Sequence, residues 1–119
     1  MLVNVTGHSI TLDDQDGSKF VLRPSGANAR IVDNRPIVAH ADCCWPIRYL
    51  EEREIVGLPE PNEGTIYIAS NLVARLAAAR GRRDVVAPDV SRYSVIRDGH
   101  KNVLAVRGFV CFSSEVGGV

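Results

Sequence analysis

Residues 64–81 read GTIYIASNLVARLAAARG, and this stretch decides the fold class. Its first part, from Thr65 to Ala69, is β-branched, aromatic and apolar at successive positions. Such a run predicts a strand that is buried on both faces at the centre of a sheet. The preceding segment, PEPNEG at 59–64, contains two prolines and a glycine and therefore predicts a loop.

The second part of the stretch predicts a helix over residues 71–80. Ser70 is a favourable N-cap residue, and Gly81 is suited to the helix end because glycine adopts positive φ without strain. The apolar residues that recur at helical spacing are Leu72, Val73, Leu76 and Ala77. A strand that leads directly into a helix indicates a chain that mixes both kinds of element.

Shorter strand patterns surround this unit on both sides. Residues 9–12 alternate between polar and apolar, and the apolar pattern resumes at 20–22 after a segment that contains Asp-Gly, which predicts a hairpin. The other predicted strands lie at 29–32, 36–39, 42–50, 93–97 and 103–106, with 109–112 extending the last arm. We therefore predict a single small α+β domain over 1–112, with a mainly antiparallel sheet, one main helix and a frayed tail at 113–119.

Length and charge exclude several classes of protein. The chain has 119 residues and a formal net charge of zero, which argues against a general nucleic-acid-coating protein. It has no long apolar run and no signal-peptide pattern, so we expect a cytoplasmic protein with no membrane partner. Residues 1–70 carry a balance of −4 and residues 71–119 a balance of +4, so a local positive surface stays possible.

The residues that could support catalysis or bind a metal do not form a recognisable signature. Three cysteines, two of them adjacent at Cys43 and Cys44, suit reduced thiols better than a disulfide framework. Neither they nor His40 show the spacing of a zinc site. We expect no metal, no cofactor and no enzymatic activity; a small hydrolase that uses His8 or His40 is the third hypothesis.

The start of the predicted helix is the leading candidate ligand site. A loop that feeds a helix N-terminus presents free N–H groups that suit an anion. The candidate residues there are Tyr67, Ser70, Asn71 and Arg75, and the candidate anion patch beyond them is Arg80, Arg82 and Arg83. The alternative is a solvated helix face whose cations complement the helix dipole.

Asn4, Thr6 and His8 form the second candidate site. They alternate, so in an extended strand their side chains would share one face. They either contact a ligand or hold the following loop through hydrogen bonds to its backbone, and the second role is common for Asn and Thr beside a turn.

Two segments carry a resemblance to a known group of proteins. The opening NVTGHSITL at 4–12 resembles an N-L-T-P-H-x-I start, and GLPEPNEGTIYIASNLVA at 57–74 resembles G-L-P-E-P-x-x-G-T-x-Y-I-V-S-x-L-V-A. Both patterns are typical of small, mostly uncharacterised proteins of bacteriophages and prophage regions. The chain departs from the group at Gly7, where the pattern has proline, and at Cys43 and Cys44. The resemblance implies a phage context, in the host cytoplasm, and no particular chemistry.

Two other hypotheses of function rank above the hydrolase hypothesis. The first is a non-enzymatic phage-type accessory protein that binds, either inhibiting a host factor such as a defence protein or sequestering a small anionic, nucleotide-like ligand. The second is a structural or assembly protein, such as a virion component, that forms a homo-oligomer through exposed strand edges.

Overall fold

The computed structural model describes residues 1–14, 16–33, 38–39, 44–47 and 53–114. These residues form twelve strands and one helix, α1, at Asn71–Ala79. The strands are β1 (Leu2–Asn4), β2 (Ile10–Asp13), β3 (Lys19–Leu22), β4 (Arg30–Asp33), β5 (Val38–Ala39), β6 (Pro46–Ile47), β7 (Arg53–Val56), β8 (Ile66–Ile68), β9 (Val85–Pro88), β10 (Val95–Arg97), β11 (Val103–Val106) and β12 (Phe109–Cys111).

Two four-stranded sheets contain most of the strands. The first has the order β1-β8-β9-β12, in which β1, β8 and β9 run parallel and β12 is antiparallel to β9. The second has the order β10-β11-β2-β3, in which two antiparallel hairpins are joined by a parallel contact between β11 and β2. The strands β4 and β7 form an antiparallel pair, as do β5 and β6.

The α+β class is confirmed, but the sheets are mixed rather than mainly antiparallel. Hairpin signals in a sequence report only the pairing of neighbouring segments. Here Leu2 of β1 lies opposite Ile66 of β8, a pairing between segments that no turn connects. The expectation that residues 109–112 extend the last hairpin is wrong, because β12 leaves the second sheet and pairs with β9 of the first.

The first sheet lies between the helix and the second sheet. Along β8, Tyr67 packs in the same core cluster as Val73 and Ala77 of α1, whereas Ile68 packs with Ile10 and Val106 of the second sheet. Successive side chains of a strand point to opposite faces, so both faces of β8 are covered. The predicted central strand is therefore confirmed.

The helix begins and ends close to the predicted residues but buries a different stripe. Ser70 is its N-cap and accepts a hydrogen bond from the Val73 N–H at 3.3 Å, as predicted. Its buried residues are Val73, Ala74 and Ala77, while Leu72 is 65% exposed. The small alanine side chains allow α1 to pack closely against β9, which turns Leu72 towards solvent.

Some predicted features lie outside the described residues. The strand predictions at 36–39 and 42–50 are described only in part, as β5 and β6, and His40, Cys43 and residues 115–119 are not described. In the part of the chain that is described, no helix has the length and apolar character needed to cross a membrane.

Candidate functional site

A surface groove of about 450 Å³ lies in the second sheet, where it meets the end of β9. Residues 8–11 line it on β2 and the turn before it, and residues 103–106 line it on β11, with Pro88 and Val90 completing the lining. Three large apolar side chains of this lining are exposed, namely Val90 at 47%, Val103 at 47% and Leu104 at 55%. Exposed apolar residues around one concavity mark sites that bind apolar groups of another molecule.

The wall of the groove on the β2 side is held by the side chain of Asn4. This side chain is almost fully buried, and its amide nitrogen donates to the backbone oxygens of His8 at 2.7 Å and Leu22 at 2.9 Å. If the β2–β3 register continued, His8 would face Pro24, which has no N–H to donate. The Asn4 amide donates to the His8 oxygen in place of the missing N–H. A buried side chain therefore holds the backbone that leads into β2.

Thr6 completes this network, and His8 reaches the groove. The side-chain oxygen Oδ1 of Asn4 accepts from the Thr6 N–H at 2.9 Å and from the Thr6 hydroxyl at 2.6 Å. Asn4 therefore uses its hydrogen-bonding groups within its own chain and has none left for a ligand. His8 is exposed and lines the groove, with Nδ1 of its ring 3.2 Å from the Ser9 oxygen. Of the three candidates, only His8 contacts the groove.

The expectation of an extended strand through Asn4, Thr6 and His8 is wrong. Strand β1 ends at Asn4, and the chain then turns at Gly7, whose φ is +86°. The three residues meet through hydrogen bonds across this turn and not through strand alternation. Proline cannot adopt a positive φ, so this turn suits the glycine at position 7 and would not suit a proline there.

The candidates on the helix contact one another and the core. The Asn71 side-chain oxygen accepts from Nε of Arg75 at 2.6 Å, and the Arg75 guanidinium lies 4.4 Å from the centre of the Phe112 ring. The Ser70 hydroxyl is occupied by its capping bond. These three residues therefore stabilise the first turns of α1 and cover its neighbouring aromatic ring.

Tyr67 and Arg82 anchor the loop that precedes β8. The Tyr67 side chain is buried, and its hydroxyl donates to the backbone oxygen of Glu60 at 3.0 Å. Arg82 donates to both carboxylate oxygens of Asp84, at 2.8 and 2.9 Å, and to the Pro59 oxygen at 3.1 Å. The hydrogen bond to Asp84 raises the pKa of Arg82 above its ordinary value. This pair is structural because all of these groups bond within the chain.

Two arginines of the predicted anion patch, Arg80 and Arg82, bond to different parts of the chain. Arg80 is the C-cap residue of α1 and donates to the backbone oxygen of Arg53, whereas Arg82 faces Asp84. Arg83 is exposed. The candidate residues therefore belong to separate groups: those in the turn before β2, those at the start of α1, and those that hold the loop before β8.

The sequence predicted His8 as a candidate site residue but did not predict the other residues that line the groove. The residues it missed include Val90, Val103 and Leu104, which read as ordinary apolar strand or turn positions. Nothing in their local pattern indicates that they stay exposed, because exposure depends on which strand lies beside them.

Within the described residues, no group of three or more His, Cys, Asp or Glu side chains could hold a metal ion. The groove can therefore be described by its shape, its exposed apolar side chains and its few polar groups from His8, Ser9 and Thr11. Comparison with models of protein families, with curated proteins and with solved structures finds none that matches this chain.

Proposed function

We propose that this protein is a non-enzymatic binding protein whose partner is another protein, held at the apolar groove. The observation that carries the proposal is the exposure of Val90, Val103 and Leu104 around a concavity of about 450 Å³. A volume of this size is typical of binding pockets, and clustered exposed apolar side chains are typical of protein interfaces.

The groove favours a protein partner over the small anionic ligand. The described residues that line it include no Lys and no Arg, so the imidazole of His8 is the one side chain of the lining that could carry a positive charge towards a phosphate or carboxylate. The residues proposed for anion binding, such as Asn71 and Arg82, already bond to neighbouring groups of the chain. An anionic ligand remains the alternative, and it would be found by mass spectrometry of protein purified from its native host and then denatured.

The resemblance to phage proteins suggests where the partner is found. Small phage proteins commonly act by inhibiting a host factor, and by analogy the partner is a host protein in the cytoplasm. A protein that binds through this groove could inhibit its partner by covering part of the partner's surface. Such inhibition needs no catalytic group.

The test compares three forms of the protein as baits. Wild type, Leu104→Asp and Leu72→Asp are each immobilised and exposed to a lysate of the native host. A charge at Leu104 places a carboxylate in the groove, whereas Leu72 is an exposed leucine on α1, at 65% against 55% for Leu104. We expect one host protein to be captured by wild type and Leu72→Asp, with capture by Leu104→Asp reduced about tenfold or more.

Two controls complete this test. Circular dichroism and urea unfolding must show that both variants are folded, which we expect because both side chains are exposed. Equal capture by all three baits, or capture no greater than on a blank resin, would contradict the proposal.

A homo-oligomer is the second candidate because β3 exposes apolar side chains at the edge of the second sheet. Phe20 is 62% exposed and Val21 is 50% exposed, and β3 has β2 as its neighbour in this sheet. An uncovered apolar edge strand favours pairing with another strand. We expect sedimentation velocity at micromolar concentration to show a monomer, because Lys19 and Arg23 would face like charges in a self-paired β3. A dimer that Phe20→Lys dissociates would favour this candidate instead.

A further inference from the structure

His8 is the polar residue of the groove lining whose side-chain hydrogen bond the structure defines. Nδ1 of its ring lies 3.2 Å from the backbone oxygen of Ser9. A carbonyl oxygen can only accept, so in the neutral ring the proton is on Nδ1 and Nε2 carries a lone pair. Nε2 of His8 is therefore a hydrogen-bond acceptor.

Among the residues that the structure describes, none donates a hydrogen bond to Nε2. The other hydrogen bonds of His8 use its main chain: its N–H donates to the Thr6 hydroxyl, and its oxygen accepts from the Asn4 amide and the Thr6 hydroxyl. The residue is exposed, so Nε2 is open to water in the protein alone. A partner that covers the groove excludes this water from His8.

The acceptor on His8 requires a donor from the molecule that fills the groove. An apolar group placed over Nε2 would leave it without a hydrogen bond, and an unsatisfied buried acceptor weakens binding about tenfold or more. The occupant must therefore bring a donor to this end of the groove.

The rest of the lining requires that the same occupant be apolar and uncharged. Val90, Val103 and Leu104 expose apolar side chains there, and the described lining has no Lys, Arg, Asp or Glu to pair with a charge. Burial of an ammonium or guanidinium group without a counter-charge is unfavourable. The donor must therefore be neutral and belong to a large apolar group.

Among protein side chains, tryptophan meets both requirements. Its indole ring is large and apolar, and its N–H donates while the ring carries no acceptor that would need a partner. The tyrosine hydroxyl also donates but adds an acceptor, and phenylalanine and leucine have no donor. Tryptophan is also one of the residues that most often contribute the binding energy of protein interfaces.

We propose that the partner protein inserts the indole ring of a tryptophan into this groove, where the indole N–H donates to Nε2 of His8. This assignment rests on the proposed function and specifies the side chain that anchors the partner. Val90, Val103 and Leu104 cover the ring, and His8 selects an occupant that has a donor. The groove volume of about 450 Å³ lies within the range of roughly 300–1,000 Å³ that is typical of pockets for small molecules.

The probes are 3-methylindole, which is the side chain of tryptophan, and its isomer 1-methylindole, which has no N–H. Each is titrated at pH 8, where histidine is neutral, into the full-length protein labelled with nitrogen-15. We expect saturable shifts of the Val103 and Leu104 amide signals, with a dissociation constant of about 1 mM for 3-methylindole. The isomer should bind about tenfold more weakly because it cannot donate to Nε2.

Two variants test whether His8 is the acceptor. His8→Phe keeps an aromatic ring at the groove but removes Nε2, so the two isomers should bind this variant equally. His100→Phe is the matched control, because His100 is exposed and lies in the turn between β10 and β11, outside the groove lining. It should keep the tenfold preference for 3-methylindole.

The outcomes separate the tryptophan anchor from the proposed function. Equal binding of both isomers to wild type, an undiminished preference in His8→Phe, or no saturable shift at about 3 mM 3-methylindole would overturn the anchor. Capture of a host protein that depends on Leu104 could still succeed in that case, so the proposed function would stand. The chain's own tryptophan, Trp45, is 75% exposed. A dimer of the protein alone that Trp45→Phe and His8→Phe each dissociate would place a second copy in the groove and also overturn the proposal.

Discussion

Replacing Asn4 with alanine is expected to lower the free energy of unfolding by about 3 kcal/mol, because a buried amide with four hydrogen bonds is lost. The Asn4 side chain is only 1% exposed. In the variant, the oxygens of His8 and Leu22 and the N–H of Thr6 each lose the hydrogen bond that Asn4 makes with them. The His8 oxygen keeps the bond from the Thr6 hydroxyl at 3.0 Å. Urea unfolding followed by circular dichroism measures the change.

The control for this prediction is Asn71→Ala. Asn71 is an exposed asparagine with one hydrogen bond, from Arg75 four residues along the helix. Such a pair contributes about 0.5 kcal/mol or less, and alanine is the better helix former, so stability should change little. A loss at Asn4 no larger than the loss at Asn71 would mean that the network does not hold the turn.

Replacing Gly57 with alanine is expected to cost about 3 kcal/mol, partly from its backbone conformation and partly from a steric overlap. The φ of Gly57 is +81°, and a Cβ built there would lie 2.2 Å from the backbone oxygen of Asn28. The neighbouring Ala29 donates its N–H to Val5 O at 2.8 Å, so the Asn28 segment cannot move away without disturbing the core.

Gly64→Ala separates the two causes. Gly64 also has a positive φ, of +76°, but a Cβ there would meet no atom within 4 Å. This variant should lose only about 1 kcal/mol, which is the cost of the backbone conformation alone. If Gly57→Ala proves as mild as Gly64→Ala in urea unfolding, the close approach of residues 28 and 57 is not a constraint on the fold.

Both predictions concern contacts that local patterns could not reveal. The pattern of Asn4 and Thr6 indicated either a ligand site or a pinned loop, and the hydrogen bonds to His8 and Leu22 favour the pinned loop. Leu22 is distant from Asn4 in the chain, so only the folded chain brings their polar groups together. For Gly57, the sequence shows a glycine before a proline-rich loop, and nothing local predicts Asn28 as its neighbour.

The sequence by itself determined the elements whose signals are local. The buried strand at 66–68, the capped helix at 71–79 and the two hairpins follow from residue type and spacing, because hydrogen bonds and side-chain alternation within a short segment decide them. Tertiary structure alone decided the parallel pairing of β1 with β8, the pairing of β12 with β9 in the first sheet and the parallel contact between β2 and β11. Those features depend on contacts between distant segments that compete to cover the same apolar faces, and such contacts bring together the separate segments that line the groove.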